Sequence, residues 1–292
     1  MTPLSILLVL LSALIHASWN FFSKRENLPV SFFFQVFLWG TLIGFPGLIL
    51  FGNLYEALQK APLSLVGLTL LSGLFETIYF ICLIEAYQQG PLSLVYPLSR
   101  SAPLFTQLWA YWWIGEKVSS KGAFGIGLVM AGLLCLSLER DPEKVPPLLS
   151  RGKGKPYLLA LAAGLASSIY SVIDKAGVQW IHPLPYLWLI NLWMTLFTGI
   201  YLLSRKEYAV LRPWAISKGS LFVVLLLQNG AYLLILLAMT MSKVSYVVAF
   251  RQAGALFGAL MGILWLKEKD WKVRLGGVLL LTIGLVMIGQ EG

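Results

Sequence analysis

Three ionisable side chains lie deep inside long apolar stretches of the sequence, where an uncompensated charge is costly. Glu76 is near the middle of its stretch, and Arg100 and Arg251 come early in theirs. A charge at the centre of a membrane helix costs about 2.5–3.5 kcal/mol on insertion scales, so each needs a partner or a water-filled cavity. One hypothesis is a central substrate site in which the arginines bind an anionic group and Glu76 is their counter-ion or a proton-coupling carboxylate. The other is a structural Glu–Arg pair that fixes the register of the helices.

His16 and Asn20 form a second candidate pair in the first apolar stretch. They are one helical turn apart, so their side chains share a face of the predicted helix. Both could line a cavity as substrate- or proton-binding residues. A lone histidine within a membrane more often hydrogen-bonds to a neighbouring helix, which is the alternative.

Four amide side chains complete the candidate substrate-binding residues. Gln35 and Asn191 occupy matching positions in the two halves of the chain, and Gln228 and Asn229 fall where the first half has Glu76 and the residue after it. Polar side chains at matching depth predict one cavity lined from both halves. Hydrogen bonding between helices is the alternative for each of them.

The remaining ionisable residues of interest lie near the ends of apolar stretches or in turns. Glu85, Asp174 and Lys175 are close enough to span ends for their charges to reach the membrane surface, so we predict structural roles. Glu116 and Glu268 occupy short polar turns. Each is predicted to cap the helix that follows it or to pair with the neighbouring lysine.

The composition places these residues in a membrane protein. The 292 residues are 58% hydrophobic and only 12% charged, with a mean hydropathy of +0.77. Soluble domains carry about 25% charged residues. The net charge of +9 lies mostly in loops, which argues against a nucleic-acid partner. Cys82 and Cys135 fall inside apolar stretches and offer neither a disulfide framework nor a zinc spacing.

The apolar stretches are each long enough, at about 20 residues, to cross a bilayer as a helix. The sequence therefore predicts an all-α integral membrane protein. Its ten predicted spans are 4–22, 31–52, 64–88, 92–114, 120–138, 157–179, 184–204, 217–240, 244–266 and 272–289.

A half-chain occurs twice. The residues of the first copy that recur at constant spacing in the second are Ser93, Phe105, Trp113, Glu116, Lys117, Gly125 and Gly132, which match Ser245, Phe257, Trp265, Glu268, Lys269, Gly277 and Gly284. We predict a first five-helix unit at 1–138, a linker at 139–156 and a second unit at 157–292. Because five is odd, the second unit enters the membrane from the opposite side, which gives an inverted repeat.

The loop charges predict an orientation. Most lysines and arginines lie in loops after the odd-numbered spans, and the other side holds only Lys60, Lys117, Lys121 and Lys243. The positive-inside rule puts the basic side in the cytoplasm and both termini outside.

Glycine and proline mark two helices. Pro97 lacks a backbone donor and predicts a kink beside Arg100, which is tolerated at depth where backbone lines a cavity. Gly254, Gly258 and Gly262 recur every fourth residue, which predicts close packing of the ninth helix on a neighbour.

Signatures of catalysis are missing from the sequence. It contains no H-E-x-x-H, G-x-S-x-G or P-loop motif and no Cys/His cluster. We therefore expect no enzymatic activity, no cofactor, no metal and no ATP-driven pumping.

The duplicated turns, WWIGEK at 112–117 and LWLKEK at 264–269, and the opening LLSALIHASWNFFSK resemble the drug/metabolite transporter superfamily, and in particular its EamA-type members. The resemblance covers nearly the whole chain. It implies a secondary transporter of small polar metabolites, often an exporter of amino acids. It also implies termini in the cytoplasm, opposite to the charge rule.

Three hypotheses of function follow. The first is a multi-pass transporter of the plasma (inner) membrane that works by alternating access around a central site, with proton or exchange coupling and the lipid bilayer as surroundings. The second is a flippase for lipids or lipid-linked substrates, which predicts a lateral opening between helices. The third is a non-transporting scaffold, which predicts that Glu76, Arg100 and Arg251 pair with one another and leave no water-accessible pocket.

Overall fold

A computed structural model describes residues 1–25, 29–51, 63–90, 92–137, 154–207, 218–257 and 271–291, and every regular element in these ranges is helical. The helices are α1 (Pro3–Arg25), α2 (Val30–Phe51), α3 (Leu63–Gln89), α4 (Leu92–Ser99), α5 (Ala102–Ile114), α6 (Ser120–Ser137), α7 (Lys155–Gly177), α8 (Pro183–Ser204), α9 (Lys218–Met241), α10 (Val244–Phe250) and α11 (Trp271–Gly289). The predicted linker at 139–156 lies almost entirely outside the described residues.

The helices have the length and surface of membrane spans. Four of them are long and apolar enough to cross a bilayer, and five further apolar helices are shorter. The outer surface of the bundle exposes large apolar side chains, among them Trp112, Leu158 and Ile200. Lipid offers no hydrogen-bond partner to a free backbone group, so continuous helices are the structure that this composition dictates.

The fourth and ninth predicted spans are each broken into two parts. In the fourth, α4 ends at Ser99 and α5 begins at Ala102, with Arg100 between them. Pro103 explains the break, because it has no N–H to offer the Ser99 carbonyl and its ring crowds that oxygen. Pro97 lies inside α4, and the break comes at Arg100, three residues further along the chain.

The break in the ninth span has no proline. Here α10 ends at Phe250, Arg251 and Gln252 form a turn, and helical structure resumes at 253–257. The backbone of Gly254 comes close to α1, since a Cβ at this position would lie 3.2 Å from the carbonyl oxygen of Ala13. That contact fits the packing role predicted for the glycine series, whose other members, Gly258 and Gly262, lie outside the described residues.

The two halves interleave rather than stand side by side. The closest helix pairs all join one half to the other: α3 with α7, α6 with α11, α1 with α9 and α2 with α8. Glycines allow the closest approach, between α6 and α11. A Cβ at Gly284 would lie 2.6 Å from the Gly125 carbonyl oxygen, and one at Gly132 would lie 2.7 Å from that of Gly277.

Both termini lie on one face of the bundle. The Met1 ammonium group donates to the carbonyl oxygens of Gly289 at 3.3 Å and Glu291 at 2.5 Å. A chain whose ends meet on one face crosses the membrane an even number of times. Which compartment this face contacts stays a prediction.

Glu116 does not cap the helix that follows it. Its carboxylate accepts hydrogen bonds from the backbone N–H of Val244 at 2.8 Å, from that of Ser245 at 3.0 Å and from the Ser245 hydroxyl at 2.6 Å. The prediction for Glu116 was therefore wrong about its target, because Ser119 already caps α6 through the Gly122 N–H. Glu116 instead holds the start of α10 in the other half, where a negative charge suits the helix dipole. Its repeat partner Glu268 lies outside the described residues.

Candidate functional site

The two helix breaks meet at one small cavity in the centre of the bundle. The residues that line this central cavity are Tyr79, Ser99, Arg100, Ala102, Ser167, Val248, Arg251 and Gln252. They come from α3, from α7 and from both breaks. The cavity has a volume of about 10 Å³, which is roughly the room that one water molecule needs. The structure thus brings the two predicted arginines together and closes the space between them.

Aromatic rings surround the first arginine. The Arg100 guanidinium lies 5.3 Å from the centre of the Tyr96 ring, a cation–π contact. Tyr79, Tyr87 and Tyr170 also interact with it electrostatically. No acidic side chain within the described ranges forms an ion pair with Arg100 or with Arg251. Arg251 interacts electrostatically with Glu76 and Asp174, but neither guanidinium group forms a direct ion pair with a described acid.

Glu76 is buried, with 3% of its surface exposed. It interacts electrostatically with Arg251 and Asp174 and lies close to the Tyr232 hydroxyl. The direct Glu–Arg pair that was one interpretation of the sequence is therefore not formed in the described structure. Glu76 belongs instead to a group of acids and hydroxyls next to the cavity.

Asp174 is the member of this group that sequence reasoning missed. The structure buries it completely, and its carboxylate accepts hydrogen bonds from Ser72, from Tyr186 at 3.0 Å and from Tyr232. Its predicted place at the membrane edge was wrong, because α3, α8 and α9 cover the end of α7. The available signal was three hydroxyl side chains within apolar stretches, on three different helices.

The other two residues predicted near span ends behave as expected. Lys175 donates to the carbonyl oxygens of Met239 at 2.5 Å and Ser242 at 3.1 Å, and so caps the end of α9. Glu85 accepts a hydrogen bond from Tyr201 at 2.6 Å and pairs with Arg205 at 3.6 Å. Both contacts are structural.

The histidine predicted for the site is close to it. His16, on α1, interacts electrostatically with both Arg100 and Arg251. The side chain of Asn20, one turn further along α1, lies outside the described residues.

The four amides do not join the central cavity. Asn191 and Asn229 line a second, larger cavity of about 270 Å³, which opens sideways between α2, α8 and α9 and is called the lateral cavity below. Gln228 accepts from Asn229 at 3.4 Å, and Gln35 is buried on α2 but lines neither cavity. The amides that were expected to line one cavity with the arginines therefore lie apart from the central cavity in the described structure.

The comparisons with known proteins agree with this architecture. The model of the EamA-like transporter family matches the chain twice, at residues 3–138 and 154–290. The chain belongs to this family. A solved crystal structure of a protein superposes with a TM-score of 0.75 at 16% sequence identity, covering 98% of this chain and 96% of that one, which shows a shared fold. No curated protein matches the sequence significantly.

Family membership settles the coarse assignment. The all-α fold built from two inverted EamA repeats is confirmed. The protein is a multi-pass membrane transporter of the drug/metabolite type, and the family consists of transporters rather than enzymes.

Proposed function

We propose that this EamA protein is a secondary transporter of the plasma membrane that exports small polar metabolites such as amino acids, by alternating access around the central cavity. One observation carries the proposal: the two helix breaks place Arg100 and Arg251 at the same cavity, without an ion-pair partner among the described acids. In inverted-repeat transporters, discontinuous helices form the substrate site near the midplane.

The chemistry of the cavity favours a substrate with an anionic group. Two guanidinium groups can bind a carboxylate or phosphate through charge-assisted hydrogen bonds. Tyr79, beside them, offers an aromatic face to the organic part of the substrate or to an ammonium group. An amino acid combines these features, and so supports the substrate class proposed here.

The volume of the central cavity corresponds to a closed state. At about 10 Å³ it is too small for an amino acid, so the substrate enters only when the surrounding helices move apart. The breaks at Arg100 and Arg251 supply points where α4 and α10 can tilt without breaking a continuous row of backbone hydrogen bonds. Rocking of one half against the other then opens the cavity to each side in turn.

Coupling to protons is proposed for Glu76 and Asp174. The Tyr232 hydroxyl donates to Asp174 and lies close to Glu76, so it connects the two acids. We propose that one proton is bound and released at this pair of acids during the cycle.

The proposed proton site has defined surroundings. The titratable, hydroxyl and charged groups that face the two acids come from α3, α7, α8, α9 and the second break, and are Ser72, Tyr170, Tyr186, Tyr232 and Arg251. Glu76 and Asp174 therefore share surroundings made of four hydroxyl groups and one guanidinium group.

The test uses purified protein in liposomes and a panel of radiolabelled amino acids, with phosphorylated sugars and quaternary amines for comparison. We expect uptake of at least one zwitterionic or anionic compound. Arg100→Gln and Arg251→Gln should each reduce it about 10- to 100-fold, and the control Arg205→Gln, at an exposed ion pair with Glu85, should leave it unchanged. Uptake that stays at the wild-type level in both central variants would overturn the central site.

The lateral cavity is the observation that favours a flippase. Its opening lies between helices, as the flippase hypothesis predicts, and it is larger than the central cavity. The described residues that line it include no basic side chain, however, so they offer no counter-charge to an anionic head group. Transfer of fluorescent phospholipid between leaflets of the same liposomes distinguishes the two functions.

A further inference from the structure

The lateral cavity lies where a molecule dissolved in the bilayer can reach it. Its wall includes Ile43 and Leu226, whose side chains are 53% and 56% exposed on the lipid-facing surface. Of the twelve described residues that line it, ten are apolar or glycine. At about 270 Å³ it is close in size to the smaller pockets that bind organic ligands.

Asn191, which lines this cavity, has a buried polar atom without a hydrogen-bond partner among the described residues. Asn191 has 3% of its surface exposed, and its Nδ2 donates to the Leu187 carbonyl at 3.0 Å and to Asn229 Oδ1 at 2.8 Å. Its Oδ1 is buried and makes no hydrogen bond in the part of the chain that the structure describes. Buried carbonyl oxygens are nearly always hydrogen-bonded, so this one indicates a missing donor.

The orientation of the amide is fixed by its neighbours. The Leu187 carbonyl can only accept, so the NH₂ group of Asn191 has to face it. Asn229 has no donor left for Asn191, because its own NH₂ group bonds to the Leu225 carbonyl at 3.0 Å and to Gln228 at 3.4 Å. Among the described residues, the hydrogen-bonded amides of Gln228, Asn229 and Asn191 therefore end in a free acceptor, Asn191 Oδ1, beside the lateral cavity.

Two glycines keep the space next to this acceptor open. A Cβ at Gly40 would lie 3.0 Å from Asn191 Oδ1, and a Cβ at Gly44 would lie 3.0 Å from Cδ1 of Trp188. Both glycines line the cavity. Any larger residue on this face of α2 would cover the acceptor or crowd the tryptophan ring.

We propose that the lateral cavity binds an amphipathic molecule from the bilayer, with an apolar body and one hydrogen-bond donor that meets Asn191 Oδ1. A plain acyl chain fills the apolar space but brings no donor. A phospholipid head group brings charges for which the described lining residues offer no partner. A hydroxyl or amide N–H on an alkyl body satisfies both parts of the site. This binding is independent of the central cavity and of the transport proposed for it.

The test compares two competitors that share a decyl chain, one with a hydroxyl donor and one in which a methyl group replaces the hydroxyl hydrogen. The protein in lipid nanodiscs is photolabelled with a diazirine analogue of decanol, and the label is competed with decanol or with decyl methyl ether. We expect labelled peptides from α2, α8 and α9. Decanol should compete about tenfold better than the ether, because the ether has no hydrogen to donate to the amide oxygen. Equal competition, or labelling elsewhere, would refute the proposal.

Three variants separate loss of the site from loss of the fold. Asn191→Leu removes the acceptor, and Gly40→Ala covers it while it keeps the amide row. Both should lose the preference for decanol. Gly67→Ala is the matched control, because a Cβ there meets no atom within 4 Å. If Gly40→Ala melts like the control and keeps the preference, the assignment to Asn191 is wrong, whatever the result of the transport assay.

Discussion

The two helix breaks serve the same cavity but are built in different ways. In the alignment that pairs Ser93 with Ser245, Ser99 and Arg100 stand opposite Arg251 and Gln252, so each break carries one arginine in a different register. The first break is explained by a proline. The second has none in its turn, and its helix α10 is held by a glutamate from the other half. Both halves therefore have a helix break that carries an arginine, but the residues that cause the break differ between the halves.

The two arginines also differ in their surroundings. Arg100 interacts chiefly with tyrosines, whereas Arg251 also interacts with the acids Glu76 and Asp174. The first break can serve substrate binding alone. The second can connect substrate binding to the proposed proton site.

The largest expected effect separates these two roles. Each of Arg100→Gln and Arg251→Gln should weaken uptake about 10- to 100-fold, since a hydrogen bond to a charged group contributes about 1.5–3 kcal/mol. Only Arg251→Gln should also change the pH dependence of uptake, measured against an imposed pH gradient. If Arg100→Gln changes the pH dependence of uptake as much as Arg251→Gln does, then the second break has no special role in proton coupling.

The next effect concerns the support of the second break. Glu116→Gln removes the charge that accepts three hydrogen bonds at the start of α10, and should lower the free energy of unfolding by about 1–2 kcal/mol. Denaturant titration measures it. Glu207→Gln removes an exposed acid outside the membrane spans and is the control. Equal losses of unfolding free energy in the two variants would mean that the contact of Glu116 with the start of α10 does not stabilise the protein.

A smaller effect concerns the first break. Pro103→Ala restores an N–H that can donate to the Ser99 carbonyl, so α4 and α5 can join into one helix. We expect slower amide hydrogen exchange around Arg100 and uptake reduced severalfold, with exchange around Arg251 unchanged. Unchanged exchange at both breaks would show that the proline is not the cause of the first one.

The smallest effect concerns the face that carries both termini and the start of α10. Burial lowers the pKa of the Met1 ammonium group from its ordinary value of 8.0. The unfolded chain then binds this proton more tightly than the folded one, so stability should rise as the pH increases toward and through 8.0. Melting temperatures on either side of this pH measure the rise. N-terminally acetylated protein should lack it.

Much of the architecture could be predicted from sequence, because its signals are long and repeated. Apolar stretches of span length and the recurrence of Glu116 with its lysine predict ten helices in two inverted units. The charges of Arg100 and Arg251 at depth predict that they need a cavity, and the structure places both at one.

The remaining features depend on which helices meet, and a single sequence does not contain that information. Asp174 lies near the end of its helix, and only the packing of α3, α8 and α9 around it shows that it is buried. Glu116 acts on a residue far along the chain, although its spacing suggested a local cap. Amides at matching depth predicted one cavity shared with the arginines. In the structure, Asn191 and Asn229 line the lateral cavity instead, between α2, α8 and α9.

The interleaving of the halves has a consequence for how the protein is made. Because α1 packs on α9, α2 on α8 and α3 on α7, the first half leaves the ribosome with its principal faces still facing lipid. Its helices are inserted in the bilayer without their packing partners until the helices of the second half are synthesised. Two polypeptides cut between the halves should therefore assemble when produced together, and each should be degraded when produced alone.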